Sequence, residues 1–378
     1  MNFEEFAAKP LLAAGGITVP PSRIAVTPEE AAAAAAEIGA CVVKAQVPTG
    51  KRGKAGGIQL AAALDDARTH ASNILGMDIG GFTVEKLLIE GQCQIGRELY
   101  AAILNDPVTC GPVVLFSPLG GMDVEEAAEQ DPNAMRRMPV DIRHGLDLGQ
   151  AASLLNGLDL DGMEEQIAEV LVKLYAVYRE NDGELLEINP LVLTRDKQVM
   201  ALDCKFTLCD SSIPRQEEIA ASGTPDKATD LEAEAAEAGL KYIELGGSVG
   251  VLANGAGLTM TTMDAITHYG GQPSNFLEIG GEAYTKSEIA LKILLKNPNI
   301  KSLLVNFCGA FARTDVMAGG VVEAWKALKP DIPVFFTIHG TGEDEAVALV
   351  KSELGIEPFD LMDDAVKAAV EASREAIQ

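Results

Sequence analysis

GELLEINPLVLTRDKQVMALDCKF, residues 183–206, has apolar runs on both sides of a polar turn at Arg195-Asp196-Lys197, the pattern of a β-hairpin. Three polar residues, Glu187, Asn189 and Asp203, interrupt those runs. Side chains two apart on a strand share a face, so Glu187 and Asn189 point together. A three-residue loop centred on Asp196 sets Asp203 opposite Asn189, whereas a two-residue turn would shift the register by one and part them. A carboxylate and an amide oxygen abreast are hard oxygen donors. That suits Mg²⁺, which keeps much of its shell for water and phosphate. On spacing alone a merely polar-faced hairpin reads the same way. Acids buried without a cation or partner cost several kcal/mol, and that favours the metal.

Outward from the hairpin, the chain has 378 residues, 47% of them apolar, enough for two or three domains of about 150 residues each. Lys and Arg total 30 against 56 Asp and Glu, a formal net charge of −26. Such an excess repels nucleic acid and anionic membranes, so neither is expected as a partner. Local clusters of backbone N–H groups and cations can still hold phosphate. The start, MNFEEFAAKPLLAAGG, has two early acids and no basic stretch, unlike a signal peptide. No uninterrupted apolar run reaches the ~18 residues of a membrane span. Six cysteines lie scattered without a CxxC pair, which points to reduced thiols in a cytoplasm. The four histidines stand far from one another and from paired cysteines, so zinc is not expected.

Residues 1 to about 100 mix short strands and helices, with Pro10 placed to kink or shorten the first helix. A central zone to about residue 208 adds strands at VEKLLIE, ELYAAIL and PVVLFS and a helix over 163–180, whose apolar residues are spaced three and four apart. The hairpin closes this zone. Residues 209–240 are polar and acidic and read as a linker with some helix. Beyond Lys241, strands at VGVLAN, NFLEIG, SLLVNF and VFFTIH alternate with helical segments, the signature of a doubly wound parallel sheet. Each strand ends in small residues: Asn254-Gly255-Ala256-Gly257, Gly280-Gly281, Cys308-Gly309-Ala310 and Gly340-Thr341-Gly342. One such loop is an ordinary βα turn. Four on one edge point to an anionic group held there.

Two further constellations carry charge. In VVKAQVPTGKRGKAGGI, Lys44 sits in an apolar strand ahead of Lys51, Arg52, Gly53 and Lys54 in a Gly-rich loop. Glycines let backbone approach a phosphate that the cations neutralise, although an exposed basic tip has the same composition. The spacing is not that of a Walker A loop. Glu90 and Glu98 flank GQCQIGR, a strand-to-strand hinge that could edge a base and ribose, or be loop acids of no special role.

Taken in order, MNFEEFAAK, VVKAQV, RGKAGG, LEINPLV, NGAGL and LLVN resemble the β subunit of the ADP- or GDP-forming acid–CoA ligases, of which succinyl-CoA synthetase is the type. The resemblance spans nearly the whole chain. It implies an N-terminal ATP-grasp fold over 1–230, ending in the acidic linker, and a C-terminal flavodoxin-like CoA-ligase domain over 241–378. It further implies that Lys44, Lys51, Arg52 and Gly53 hold phosphates of ATP or GTP, that Glu90, Cys93 and Glu98 border the nucleoside, and that Asn189 and Asp203 bind Mg²⁺. Glu187 would help place a histidine of an α subunit while that histidine accepts or returns a phosphoryl group. Asn254 and the loop Ala310-Phe311-Ala312 would border a short carboxylic acid. The helix after that loop would turn its N-terminal dipole toward the phosphohistidine. Acid, CoA and ATP would give acyl-CoA, ADP and phosphate in an αβ or α₂β₂ assembly, with CoA bound mainly by the partner.

Several positions depart from the family. Lys51 replaces a glycine, Pro48 replaces a histidine, and Glu278-Ile279-Gly280-Gly281-Glu282-Ala283 stands for DVGGGA. Ala310-Phe311-Ala312 replaces Gly-Ile-Val, and a bulky Phe beside the pocket should change which acid fits. Succinate is therefore the default among succinate, malate, citrate, itaconate and sulfoacetate. A non-catalytic nucleotide-binding module would lack the intact Glu187, Asn189 and Asp203 set. A lone carboxylate–amine ligase would lack the C-terminal sheet.

Overall fold

The computed structural model describes residues 1–121, 135–280 and 285–376, and these divide into two compact units, Met1–Asp226 and Lys227–Gln378.

In chain order the first unit holds β1 (Asn2–Phe3), α1 (Glu5–Ala14), β2 (Ser22–Ala25), α2 (Pro28–Ile38), β3 (Cys41–Gln46), β4 (Ile58–Ala61) and α3 (Leu64–Ile74). The small pair β5 (Asp78–Ile79) and β6 (Phe82–Thr83) precedes β7 (Lys86–Gly91), β8 (Ile95–Asp106), β9 (Gly111–Ser117) and β10 (Arg136–Pro139). Then come α4 (Leu148–Leu154), α5 (Glu164–Glu180), β11 (Gly183–Thr194), β12 (Val199–Ala201), β13 (Lys205–Leu208) and the short α6 (Glu217–Ala220). Two antiparallel sheets result. The smaller has the order β2-β7-β3-β4 and packs on α2 and α3 through an alanine-rich core. The larger runs β1-β13-β11-β8-β9-β10, with β12 paired to β11, and buries one face against α1 and α5.

The hairpin folds as its spacing requires. Leu191 pairs with Ala201 and, further along, Glu187 pairs with Lys205 in the same register. Thr194 N donates to Gln198 O at 2.9 Å, leaving the three-residue loop 195–197, with Lys197 at a φ of 59°. The ladder breaks at residues 202–204, and the shared register sets Asn189 level with Asp203 there.

Pro10 does not shorten α1, which continues to Ala14. Proline removes one backbone donor, but Ala8 and Leu12 are fully buried in the larger core and hold the turn in place. The acidic stretch after residue 208 is divided between the units. Its first part returns to β1, where Thr224 N donates to Asn2 O at 2.7 Å, and its second part opens the other unit as α7 (Asp230–Glu237).

The second unit adds β14 (Lys241–Glu244), β15 (Val249–Ala253), α8 (Ala256–His268), β16 (Asn275–Glu278) and α9 (Ser287–Leu294), followed by β17 (Ser302–Gly309), α10 (Thr314–Leu328), β18 (Val334–Gly340), α11 (Glu343–Leu354) and α12 (Met362–Glu375). Its sheet has the order β14-β16-β15-β17-β18 and is parallel except for β14, an edge strand that the apolar pattern does not reveal. Alternate residues of β15 feed two cores. Val249, Val251 and Ala253 meet α8 and α12, while Leu252 meets the cluster built on α9, α10 and α11.

Candidate functional site

Within the first unit, the two sheets contribute facing side chains to a cleft of about 1060 Å³. From the smaller sheet come Lys44 on β3, the loop Lys51-Arg52-Gly53, Glu90 on β7 and Cys93 just after it. From the larger come Glu98 on β8, Glu187 and Asn189 on β11, and Asp203 before β13. Every residue that the sequence marks for nucleotide, metal and phosphoryl transfer in this unit thus lines one cavity.

Backbone conformation in the loop bears on the position where the resemblance places a glycine. Lys51 takes a φ of 62°, the left-handed region, which costs a side-chain-bearing residue about 1 kcal/mol and suits the glycine it replaces. This turn folds Arg52 inward, where its Nη1 donates to Ala45 O at 3.0 Å.

Beneath the cleft lies an ionic cluster that sequence reasoning reached only in part. Glu5 of α1 has a fully buried side chain at 0% exposure. Its Oε1 lies 2.7 Å from Lys9 Nζ and 2.8 Å from Lys44 Nζ. Its Oε2 makes a 2.8 Å ion pair with Arg52 Nη1, without hydrogen-bond geometry. Glu90 pairs with Lys44 at 2.6 Å through one oxygen and with Lys9 through the other. Lys44 also donates to Leu202 O at 2.6 Å, so its three ammonium protons have three acceptors within the chain. Arg52 Nη2 reaches both oxygens of Asp203, at 2.7 and 2.8 Å. Three carboxylates therefore face three cations. Burial would raise the Glu5 carboxyl, but Lys44, Lys9 and Arg52 together hold it well below its ordinary value. For Lys44, burial pulls the ammonium down and Glu5, Glu90 and Asp203 more than reverse it.

Glu5 and Lys9 are the residues the sequence reading passed over. Their signal is an i, i+4 charge pair inside an otherwise apolar helix. Tyr100 was missed too. Its hydroxyl donates to Glu187 Oε2 at 3.1 Å, although a tyrosine in an apolar strand reads as core.

Asn189 Oδ1 accepts from Gly121 N at 2.8 Å. A Cβ on Gly121 would stand 1.9 Å from Glu98 Oε2, and its φ is +72°, so a side chain here would strain the backbone and push the Glu98 carboxylate aside. Among the described residues no group of three or more His, Cys, Asp or Glu forms a closed metal cage. Two oxygen donors level with each other in the lining of the cleft are the set that Mg²⁺ takes when phosphate completes its shell, so Asn189 and Asp203 fit that ion.

The other marked residues belong to the second unit. Asn254 follows β15 and locks onto β17. Its Nδ2 donates to Cys308 O at 2.9 Å and its Oδ1 accepts from Cys308 N at 2.7 Å. Ala310-Phe311-Ala312 follows β17, held by Thr341, whose hydroxyl donates to Ala310 O at 2.9 Å. Phe311 stands out from this loop at 93% exposure. The expected anion sites on this edge need correcting, because two carboxylates of the chain already accept from backbone N–H groups of three of the four loops. Glu278 accepts from Gly280 N at 2.8 Å and Gly255 N at 3.2 Å, and Glu343 accepts from Gly340 N at 2.8 Å. Gly281, Glu282 and Ala283 lie outside the described residues. No helix among the described residues is long and apolar enough to cross a membrane.

Comparison with known proteins gives the family. Residues 2–193 match the ATP-grasp domain family and residues 252–370 match the CoA-ligase family. The chain is 40% identical over 374 residues to the ADP-forming succinate–CoA ligase subunit β of Gemmatimonas aurantiaca, covering 98% of each. It is 39% identical to the GDP-forming subunit β of Thermus thermophilus, covering 93% of this chain and 94% of that one. In fold it is similar to ATP citrate lyase from Methanothrix soehngenii, with a TM-score of 0.67 at 23% identity over 98% of this chain and 99% of that one. The chain belongs to the succinate–CoA ligase β-subunit family of ATP-grasp acid–CoA ligases.

Proposed function

We propose that this chain is the nucleotide-binding subunit of an acid–CoA ligase that joins a short carboxylic acid to CoA at the expense of ATP, and that it works with an α subunit carrying the phosphorylated histidine. The observation that carries this is the convergence of Lys44, Lys51, Arg52, Gly53, Glu90, Cys93, Glu98, Glu187, Asn189 and Asp203 on one cleft. In this proposal the cationic loop holds the phosphates, while Glu90, Cys93 and Glu98 border the nucleoside. Asn189 and Asp203 hold Mg²⁺, which when bound neutralises phosphate charge. Glu187 orients the partner's imidazole and holds its proton as the phosphoryl group arrives. Asn254, Ala310, Phe311 and Ala312 border the acid in the second unit, and CoA is bound mainly by the partner. Six free cysteines without a disulfide support a cytoplasmic setting.

The test is radiolabel transfer. Purified chain, a partner α subunit and Mg-ATP labelled on the γ phosphate should give an acid-labile label on a partner histidine. Glu187→Gln should slow this by about a hundredfold or more, the usual scale for a lost proton-handling group. No label on the partner with any acid–CoA ligase α subunit would sink the proposal. An ADP- or GDP-release assay of the same pair across succinate, malate, citrate, itaconate and sulfoacetate then assigns the acid and the nucleotide.

The acid is the point at which Phe311 enters. Succinate is the default for this family, but the Phe311 ring stands where the resemblance places a branched aliphatic side chain. One methylene is worth about 1–3 kcal/mol of discrimination in such pockets. Phe311→Val is expected to shift the ratio of kcat/KM between two acids of the panel by about tenfold or more. An unchanged ratio would remove Phe311 from the substrate loop.

A further inference from the structure

We propose that Tyr100 is a positioning residue that fixes the carboxylate of Glu187, an inference that rests on the role assigned to Glu187 above. Three observations lead to it. First, β11 carries one extra residue against β8. Ile188 pairs with Ala101 and Leu191 with Leu99, so Asn189 and Pro190 together oppose the single residue Tyr100. A bulge of this kind bends its strand and re-aims the side chains beside it. Tyr100 is thus the fixed point around which Glu187 and Asn189 are turned into the cleft.

Second, Glu187 pairs with Ala102, and Tyr100 lies two residues along β8 on the same face. The phenol reaches Glu187 diagonally, its hydroxyl donating to Oε2 at 3.1 Å. Third, Tyr100 is only 4% exposed, so its hydroxyl is directed to a protein acceptor rather than to bulk water. Burial, the Glu187 charge and this bond all push the phenol up, so it remains a donor throughout the working pH range. A carboxylate gripped on one oxygen by a rigid ring keeps a single orientation toward an incoming imidazole. Loss of this bond widens the range of orientations the carboxylate samples, and positioning of this precision carries a large share of catalytic rate.

Tyr100→Phe removes one hydroxyl and keeps the ring. Single-turnover phosphorylation of the partner histidine by Mg-ATP should slow by about ten- to a hundredfold, the scale of a hydrogen bond to a charged group. The KM for ATP should stay within about twofold, because the cationic loop and the metal ligands are untouched. In a Glu187→Gln background the same change should cost less than about twofold, since the group it acts through is gone. Tyr100→Phe at the wild-type rate, or an equal cost in both backgrounds, would overturn the assignment and leave Tyr100 as packing. A Glu187→Gln enzyme at full rate would overturn this assignment together with the role of Glu187, which separates the two failures.

Discussion

Glu5→Gln is expected to destabilise the N-terminal unit by about 3–5 kcal/mol, the usual cost of removing one partner from a buried ion network. Glu5 is sealed from water and faces Lys9, Lys44 and Arg52, so the neutral amide leaves three buried cations with only Glu90 and Asp203 to balance them. Urea unfolding at neutral pH measures the loss directly. The pH dependence supplies a second signature. The folded Glu5 carboxyl is held well below its ordinary value of 4.5. Its contribution is therefore fully present above that value and is lost as pH falls toward the depressed folded value. The gap between wild type and Glu5→Gln should thus narrow as unfolding is repeated at pH below 4.5. A gap that stays constant with pH would mean that Glu5 acts through shape rather than charge.

The second large effect concerns Asp203 and Arg52, whose present bond competes with the metal role proposed for Asp203. The Arg52 fork covers both oxygens of Asp203, at 2.7 and 2.8 Å, and Asn189 lies level with that carboxylate. Asp203→Asn is expected to lower phosphotransfer by about a hundredfold or more, because it removes the charged member of the proposed Mg²⁺ pair. Arg52→Gln should act oppositely on the metal alone. With its competitor gone, the carboxylate should bind Mn²⁺ in the absence of nucleotide about tenfold more tightly, while ATP binds more weakly. Mn²⁺ electron paramagnetic resonance reads the free ion in both titrations. An Arg52→Gln chain that binds Mn²⁺ no better than the parent would show that the pair does not guard the metal position.

The hairpin was legible because period-two patterning and a three-residue polar turn leave one register, and Glu187, Asn189 and Asp203 follow from it. The parallel sheet of the second unit was legible for the same reason: each strand is a short apolar run closed by small residues. Glu5 and Lys9 were not, because two acids in NFEEF look like a solvated helix start until α1 is joined by ion pairs to Lys44 of β3 and Glu90 of β7. Pro10 misled in the same place, since tertiary burial of Ala8 and Leu12 outweighs one lost backbone bond. The glycine loops misled differently. Backbone N–H groups at strand ends attract an anion, but no single-chain pattern says that Glu278 and Glu343 supply it from within.

The ionic cluster has a consequence for how the nucleotide cleft can move. The smaller and larger sheets of the first unit keep separate apolar cores, and the fully buried bonds between α1 and strands β3 and β7 are made by charges. A greasy joint resists every displacement that wets it. A charged joint instead tolerates a change of partners, as long as each ion leaves one counterion for another of like sign. Under the proposed function a polyanion with its cation would offer that exchange, so cargo of the right charge could re-stitch this seam without wetting an apolar surface.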